Sequence, residues 1–181
     1  MEEIEVPTEQ LQEEMHHHAE HAPSSWISGV ALSSALLAVL AAVSALLAGH
    51  HANEAMLEQM HATDQWSYYQ AKSIKGNILS SKLELLTALG KPVSQKDQEK
   101  VADYKKDQDE ISGEAKALEA SSRSHMEHHV ILARGVTLFQ VAIGIAAIAV
   151  LTRRRRFWFV ALAFGLGGVG FLLQGLLLSS V

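Results

Sequence analysis

Residues 135–181 read GVTLFQVAIGIAAIAVLTRRRRFWFVALAFGLGGVGFLLQGLLLSSV, two uncharged apolar runs separated only by four arginines at positions 153–156. About 20 apolar residues in a helix span the hydrocarbon of a bilayer. Backbone crossing that layer must satisfy its own hydrogen bonds, which a helix does. Guanidinium groups are costly there, so the arginines are predicted to turn at a surface and the two runs to form a membrane hairpin. Further out, residues 26–49, WISGVALSSALLAVLAAVSALLAG, also lack any ionisable side chain and predict another span. The expected fold is therefore an all-α integral membrane protein with three transmembrane helices. These lie at 25–49, 130–152 and 157–179, with the basic turn at 153–156.

Composition excludes several classes. The 181-residue chain carries a formal charge of −5, so it lacks the basic excess that nucleic-acid binding requires. It has no cysteine, which rules out disulfides, thiolate nucleophiles and cysteine-based zinc sites. The N-terminus, MEEIEVPTEQLQEE, is acidic where a signal peptide is basic, and the first apolar run starts too late for one. Residues 1–24 are read as an acidic, His-rich amphipathic segment, helical from Thr8 to about Ala22. Positive charge in short loops stays on the cytoplasmic side. The arginine turn and the N-terminus are accordingly expected in the cytoplasm of a bacterium, and the segment at 50–129 and the C-terminus in the periplasm.

That segment is expected to be helical too. No proline lies between Pro23 and Pro92, and the stretch is rich in good helix formers. GKPVSQKD at 90–97 offers a glycine C-cap, a proline beyond it, and Ser94 with Asp97 as a capping box. A turn near 90–95 makes 50–129 a long extramembrane antiparallel helical hairpin, coiled-coil-like, with arms near 60 Å at about 1.5 Å per residue. In the second arm, Val101, Tyr104, Gln108, Ile111, Ala115, Leu118, Ser122, His125, His129 and Leu132 recur at three- and four-residue steps, the spacing of a heptad seam. In the first arm the same spacing selects Met60, Ser67, Ile74, Ser81 and Ala88 with Ala71, Ile78 and Leu85, leaving Trp66, Tyr69 and Leu83 on another face. A two-helix rod has little interior, so packing against copies of itself is the leading expectation. Small residues four apart in the spans, Ala142 with Ala146, Ala161 with Gly165 and Ala163 with Gly167, suit close helix packing either within the chain or between copies.

VPTEQLQEEMHHHAE, the alanine-rich first run and LLAGHHANEAMLEQMHATDQWSYYQAKSIK together resemble a family of small bacterial inner-membrane proteins, domain of unknown function 4337. The resemblance covers most of the chain and is strongest from Val6 to Lys75. It implies this helical layout and a bacterial inner membrane, and carries no residue roles.

Candidate chemistry rests on histidine. Apart from His61 and the N-terminal group His16, His17, His18 and His21, the histidines flank the apolar runs. An antiparallel hairpin sets His50, His51 and Glu54 beside His125, Glu127, His128 and His129. Residues three or four apart share a helix face, so His125 with His128 or His129, and His50 with Glu54, each offer two ligands. Imidazole and carboxylate suit zinc or another divalent transition metal, and histidine also responds to pH near neutrality. The alternative is that histidine marks the wet ends of the spans. No nucleophile elbow, HExxH motif or phosphate loop is present, so no enzyme activity is expected, and GLGGVG within an apolar run is not a nucleotide loop. The expected function is a homo-oligomeric, non-enzymatic structural or scaffolding protein of the envelope, its partners the lipid bilayer and its own copies. A small channel, and a metal- or pH-responsive sensor using the histidines, are the alternatives.

Overall fold

The structure, a computed structural model, describes residues 25–178. The N-terminal segment at 1–24, with His16, His17, His18 and His21, and the last residue of the span at 157–179 lie outside the described residues. Within them the fold is all-helical: α1 (Ser25–Ala88), α2 (Gln95–Thr152) and α3 (Arg155–Leu178). Each contains a stretch long and apolar enough to cross a membrane. α1 runs unbroken through Gly49 and Gly76.

Both helix-ending turns use one geometry. At the end of α1, Gly90 adopts φ 65°. Its N–H donates to the Thr87 carbonyl at 3.0 Å, and the Lys91 N–H donates to that of Leu86 at 2.9 Å. This Schellman pattern satisfies carbonyls that would otherwise be left open. Arg153 ends α2 in the same way, with φ 53° and N–H bonds from Arg153 to Val150 and from Arg154 to Ala149, both 3.2 Å. Ser94 caps α2 through its carbonyl, which accepts the N–H groups of Asp97 and Gln98. The Asp97 carboxylate accepts from Lys82 Nζ at 2.8 Å.

The chain divides into two compact units, the second being Asn53–His125. In the first unit small residues share the interior with Val30, Leu37 and Ile143, and many large apolar side chains face outward. Buried are Ala41, Ser44, Ala142, Ala146, Ala161 and the Phe139 ring, while Leu32, Leu36, Leu46, Phe159, Leu166 and Leu177 face outward. α3 turns its small residues inward: Ala161, Gly165, Gly168, Leu172 and Gly175 are buried at alternating four- and three-residue steps. A Cβ on Gly168 would lie 2.7 Å from the Phe139 ring, one on Gly165 2.7 Å from Leu37, and one on Gly175 2.6 Å from Leu132. The small residues of the first pairs noted above, Ala142 with Ala146 and Ala161 with Gly165, thus pack within the chain, whereas Ala163 and Gly167 are exposed. The Trp158 indole N–H donates to Ser33 Oγ at 3.1 Å, and the Arg155 guanidinium lies 5.6 Å from the Trp26 ring centre.

In the second unit the α1 and α2 segments run antiparallel, as their cross-contacts require. Ser122 Oγ donates to the Ala55 carbonyl at 2.7 Å, Trp66 Nε1 to Glu119 at 2.8 Å, and Lys72 Nζ to Asp107 at 2.7 Å. The positions named for the α2 seam between Val101 and His125 are all buried or half-buried. The α1 seam differs from the expectation: Met60, Ser67, Ala71, Ile74, Ile78, Ser81, Leu85 and Ala88 are all exposed. The inward residues are instead Ala55, Ala62, Tyr69, Gly76 and Leu83, with Glu58, Gln65, Lys72, Leu79 and Leu86. The reason is steric and polar. Gly76 admits the Tyr104 and Gln108 side chains, which a Cβ there would meet at 3.5 and 3.4 Å, and charged groups on both helices pair across the seam.

Lys72 lies 5.3 Å from the Tyr68 ring centre and 5.5 Å from that of Tyr104. Its hydrogen bond to Asp107 raises the ammonium pKa above the ordinary lysine value, and Tyr68 pushes the same way. A raised lysine pKa contributes stability that is whole below about pH 10.5 and disappears as pH climbs through the folded value.

Two measurements check this packing. Gly168→Val should destabilise the protein by about 1–3 kcal/mol through overpacking, seen as a lower thermal midpoint in detergent, while Gly170→Val, where a Cβ meets nothing within 4 Å, should leave the midpoint nearly unchanged. Thermal unfolding across alkaline pH should show wild type losing more stability above the ordinary lysine range than Lys72→Met. Parallel curves would show that the Lys72–Asp107 pair adds nothing.

Candidate functional site

Two features of the described residues carry chemistry or contact surface: histidines in the first unit and the outer face of α1 in the second. α1 supplies His50 and His51, α2 supplies His128 and His129. The His51 and His128 rings lie 4.9 Å apart between centres, tilted by 54°. Their ligand nitrogens are within 4.8 Å of each other. Both residues are half-buried, and His128 Nδ1 is buried without a hydrogen-bond partner among the described residues. Leaving such an atom unsatisfied costs about 1–3 kcal/mol, so the arrangement suits a species that accepts a lone pair from this ring.

The other predicted ligands divide. His129 Nδ1 is 2.9 Å from the Ala48 carbonyl oxygen, a contact that fixes the ring's orientation and ties α2 to α1. For that bond Nδ1 must carry the proton, which leaves the lone pair on Nε2; His129 is nevertheless not in the group of close ligand nitrogens that contains His51 and His128. His50 is exposed, its ring centre 5.6 Å from that of His51. Glu54 and His125, both half-buried, belong to the second unit. His125 stands one helical turn before His128 on α2, the spacing that places two residues on one face. The His129–Ala48 bond was beyond sequence reasoning, because a backbone carbonyl leaves no trace in residue type.

The outer face of α1 in the second unit is the apolar stripe that the sequence assigned to the inner seam. Met60 is 64% exposed, Ile74 59%, Ile78 67% and Leu85 61%, with Ala71 and Ala88 between them. Asp64 interrupts the stripe. The indole and phenol groups of Trp66 and Tyr69 are not part of it: their rings meet edge to face at 5.5 Å, and both are half-buried.

No curated protein and no solved structure matches the chain. A family model does match, over residues 26–178, which include all three helices and the histidines of α1 and α2. The chain belongs to the family described as Domain of unknown function (DUF4337).

Proposed function

We propose that the protein is a non-enzymatic, homo-oligomeric integral protein of a bacterial inner membrane with a structural or scaffolding role. In this reading the first unit lies in the bilayer, the antiparallel segment forms a periplasmic helical hairpin, and the arginine turn is cytoplasmic. The inward small residues and outward leucines and phenylalanines of the first unit support the membrane assignment. Helices in lipid gain little from hiding apolar side chains and pack instead on small residues.

The observation that carries self-association is the exposed stripe at Met60, Ala71, Ile74, Ile78, Leu85 and Ala88. With Asp64, Ser67 and Ser81 filling its gaps, it follows the three- and four-residue steps of a helix that packs on another helix. The α2 segment already occupies a different face of α1, so the stripe has no cover within this unit. At on the order of 100 Å² for each large side chain, it offers a substantial part of the roughly 800 Å² per partner of a standard interface. Copies held in one membrane meet at a raised effective concentration, which lowers the entropic cost of pairing.

The lack of cysteine makes the test direct. A cysteine replacing Ile78 should give disulfide-linked dimers in native membranes, and one replacing the inward Leu79 should not. Ile74→Glu with Ile78→Glu should shift the protein toward monomer in mild detergent with helicity retained. A monomeric wild type would remove the proposal. For the orientation, a cysteine replacing Ser94 should react with a membrane-impermeant thiol reagent once the outer membrane is permeabilised. Protection of that site would reverse the topology.

A further inference from the structure

We propose that His51 and His128, which face each other from α1 and α2 within the first unit, form a binding site for a divalent transition-metal ion of the zinc class. The proposal does not depend on the oligomeric state. Two imidazoles from different helices bring their ligand nitrogens within 4.8 Å, and a shared ion requires that approach. Zinc–nitrogen bonds of about 2.0–2.1 Å place ligand atoms of one tetrahedron roughly 3.3 Å apart, so small ring rotations bring the pair to bonding distance.

The chemistry of the donors selects the ion. Neutral nitrogen ligands favour zinc, copper and nickel, whereas calcium and magnesium require oxygen. His128 Nδ1, buried without a partner among the described residues, shows that this ring is not spent on a structural hydrogen bond. The His129 Nδ1 bond to Ala48 leaves Nε2 with its lone pair, but His129 is not in the group of nitrogens that lie within 4.8 Å of one another. His50 is excluded by its position: adjacent residues on a helix point about 100° apart, and it is exposed where His51 is half-buried. Within the first unit the nominated histidines thus reduce to two imidazoles, leaving the other coordination positions for water or exchangeable ligands. Such a site holds an ion reversibly and pins α1 to α2 when occupied.

The test uses the full chain in detergent. His16, His17, His18 and His21 are replaced by alanine, so that the N-terminal histidines cannot contribute. This parent should bind zinc saturably at one ion per chain by calorimetry. His51→Gln and His128→Gln should each weaken binding at least tenfold, and His50→Gln should leave it unchanged. Zinc should raise the thermal midpoint of the parent and not that of the His51→Gln, His128→Gln double variant, with circular dichroism confirming that both are helical. Absence of saturable binding by the parent overturns the site. So does a helical double variant that binds zinc as the parent does, or a His50→Gln variant as impaired as His51→Gln.

Discussion

The contact of the Phe139 ring with the bare backbone of Gly168 states the constraint on which the first unit depends. On the membrane reading, helices whose apolar surfaces face lipid gain little by hiding them and hold together by coming close. Close approach requires small residues on the facing sides, and α3 supplies them at Ala161, Gly165, Gly168 and Gly175. Leu37, Leu132, Phe139 and Ile143 fill the spaces that the small residues open, and Leu32, Leu36, Phe159 and Leu166 face outward. The same economy explains Ser33 and Ser44, whose hydroxyls return to helix carbonyls at 2.9 and 2.8 Å and so occupy little space without leaving a donor unpaired.

The second unit solves the opposite problem. Polar groups enter its seam in pairs: Lys72 with Asp107, Trp66 with Glu119 and Ser121 with Glu58. Paired polar groups specify alignment better than an apolar seam, which tolerates slippage by a heptad. The antiparallel register of Asn53–His125 is therefore set by hydrogen bonds of fixed partners as much as by Ile111 and Ala115.

This difference decides what could be read from sequence. Charge-free runs beside RRRR disclosed the apolar helices, since length and charge alone define that signal. GKP disclosed the turn at Gly90, because proline and a left-handed glycine leave chemical marks. The α2 seam was legible because Ile111, Ala115 and Leu118 stand among charges. On α1 the most apolar stripe was taken for the inner one, and the packing chose the stripe of Ala55, Ala62, Gly76 and Lys72 instead. Periodicity reveals which residues share a face and not what covers it. The histidines show the same limit: spacing grouped six candidates, and only the orientation of each ring separates His128 from its neighbour His129.

Arg153 shows how a local departure from the best backbone chemistry identifies a function for a charge. Gly90 and Arg153 occupy equivalent places in equivalent turns. Glycine enters the left-handed region freely, whereas a residue with a Cβ is destabilised there by roughly 1–2 kcal/mol. The α2–α3 turn keeps a cation at the position where glycine would fold best, and flanks it with three more. Stability does not account for that choice. A short loop between two apolar helices is where positive charge most strongly decides which way a pair of spans inserts. On the membrane reading, the strain at Arg153 is maintained because removing it would weaken the signal that orients the chain.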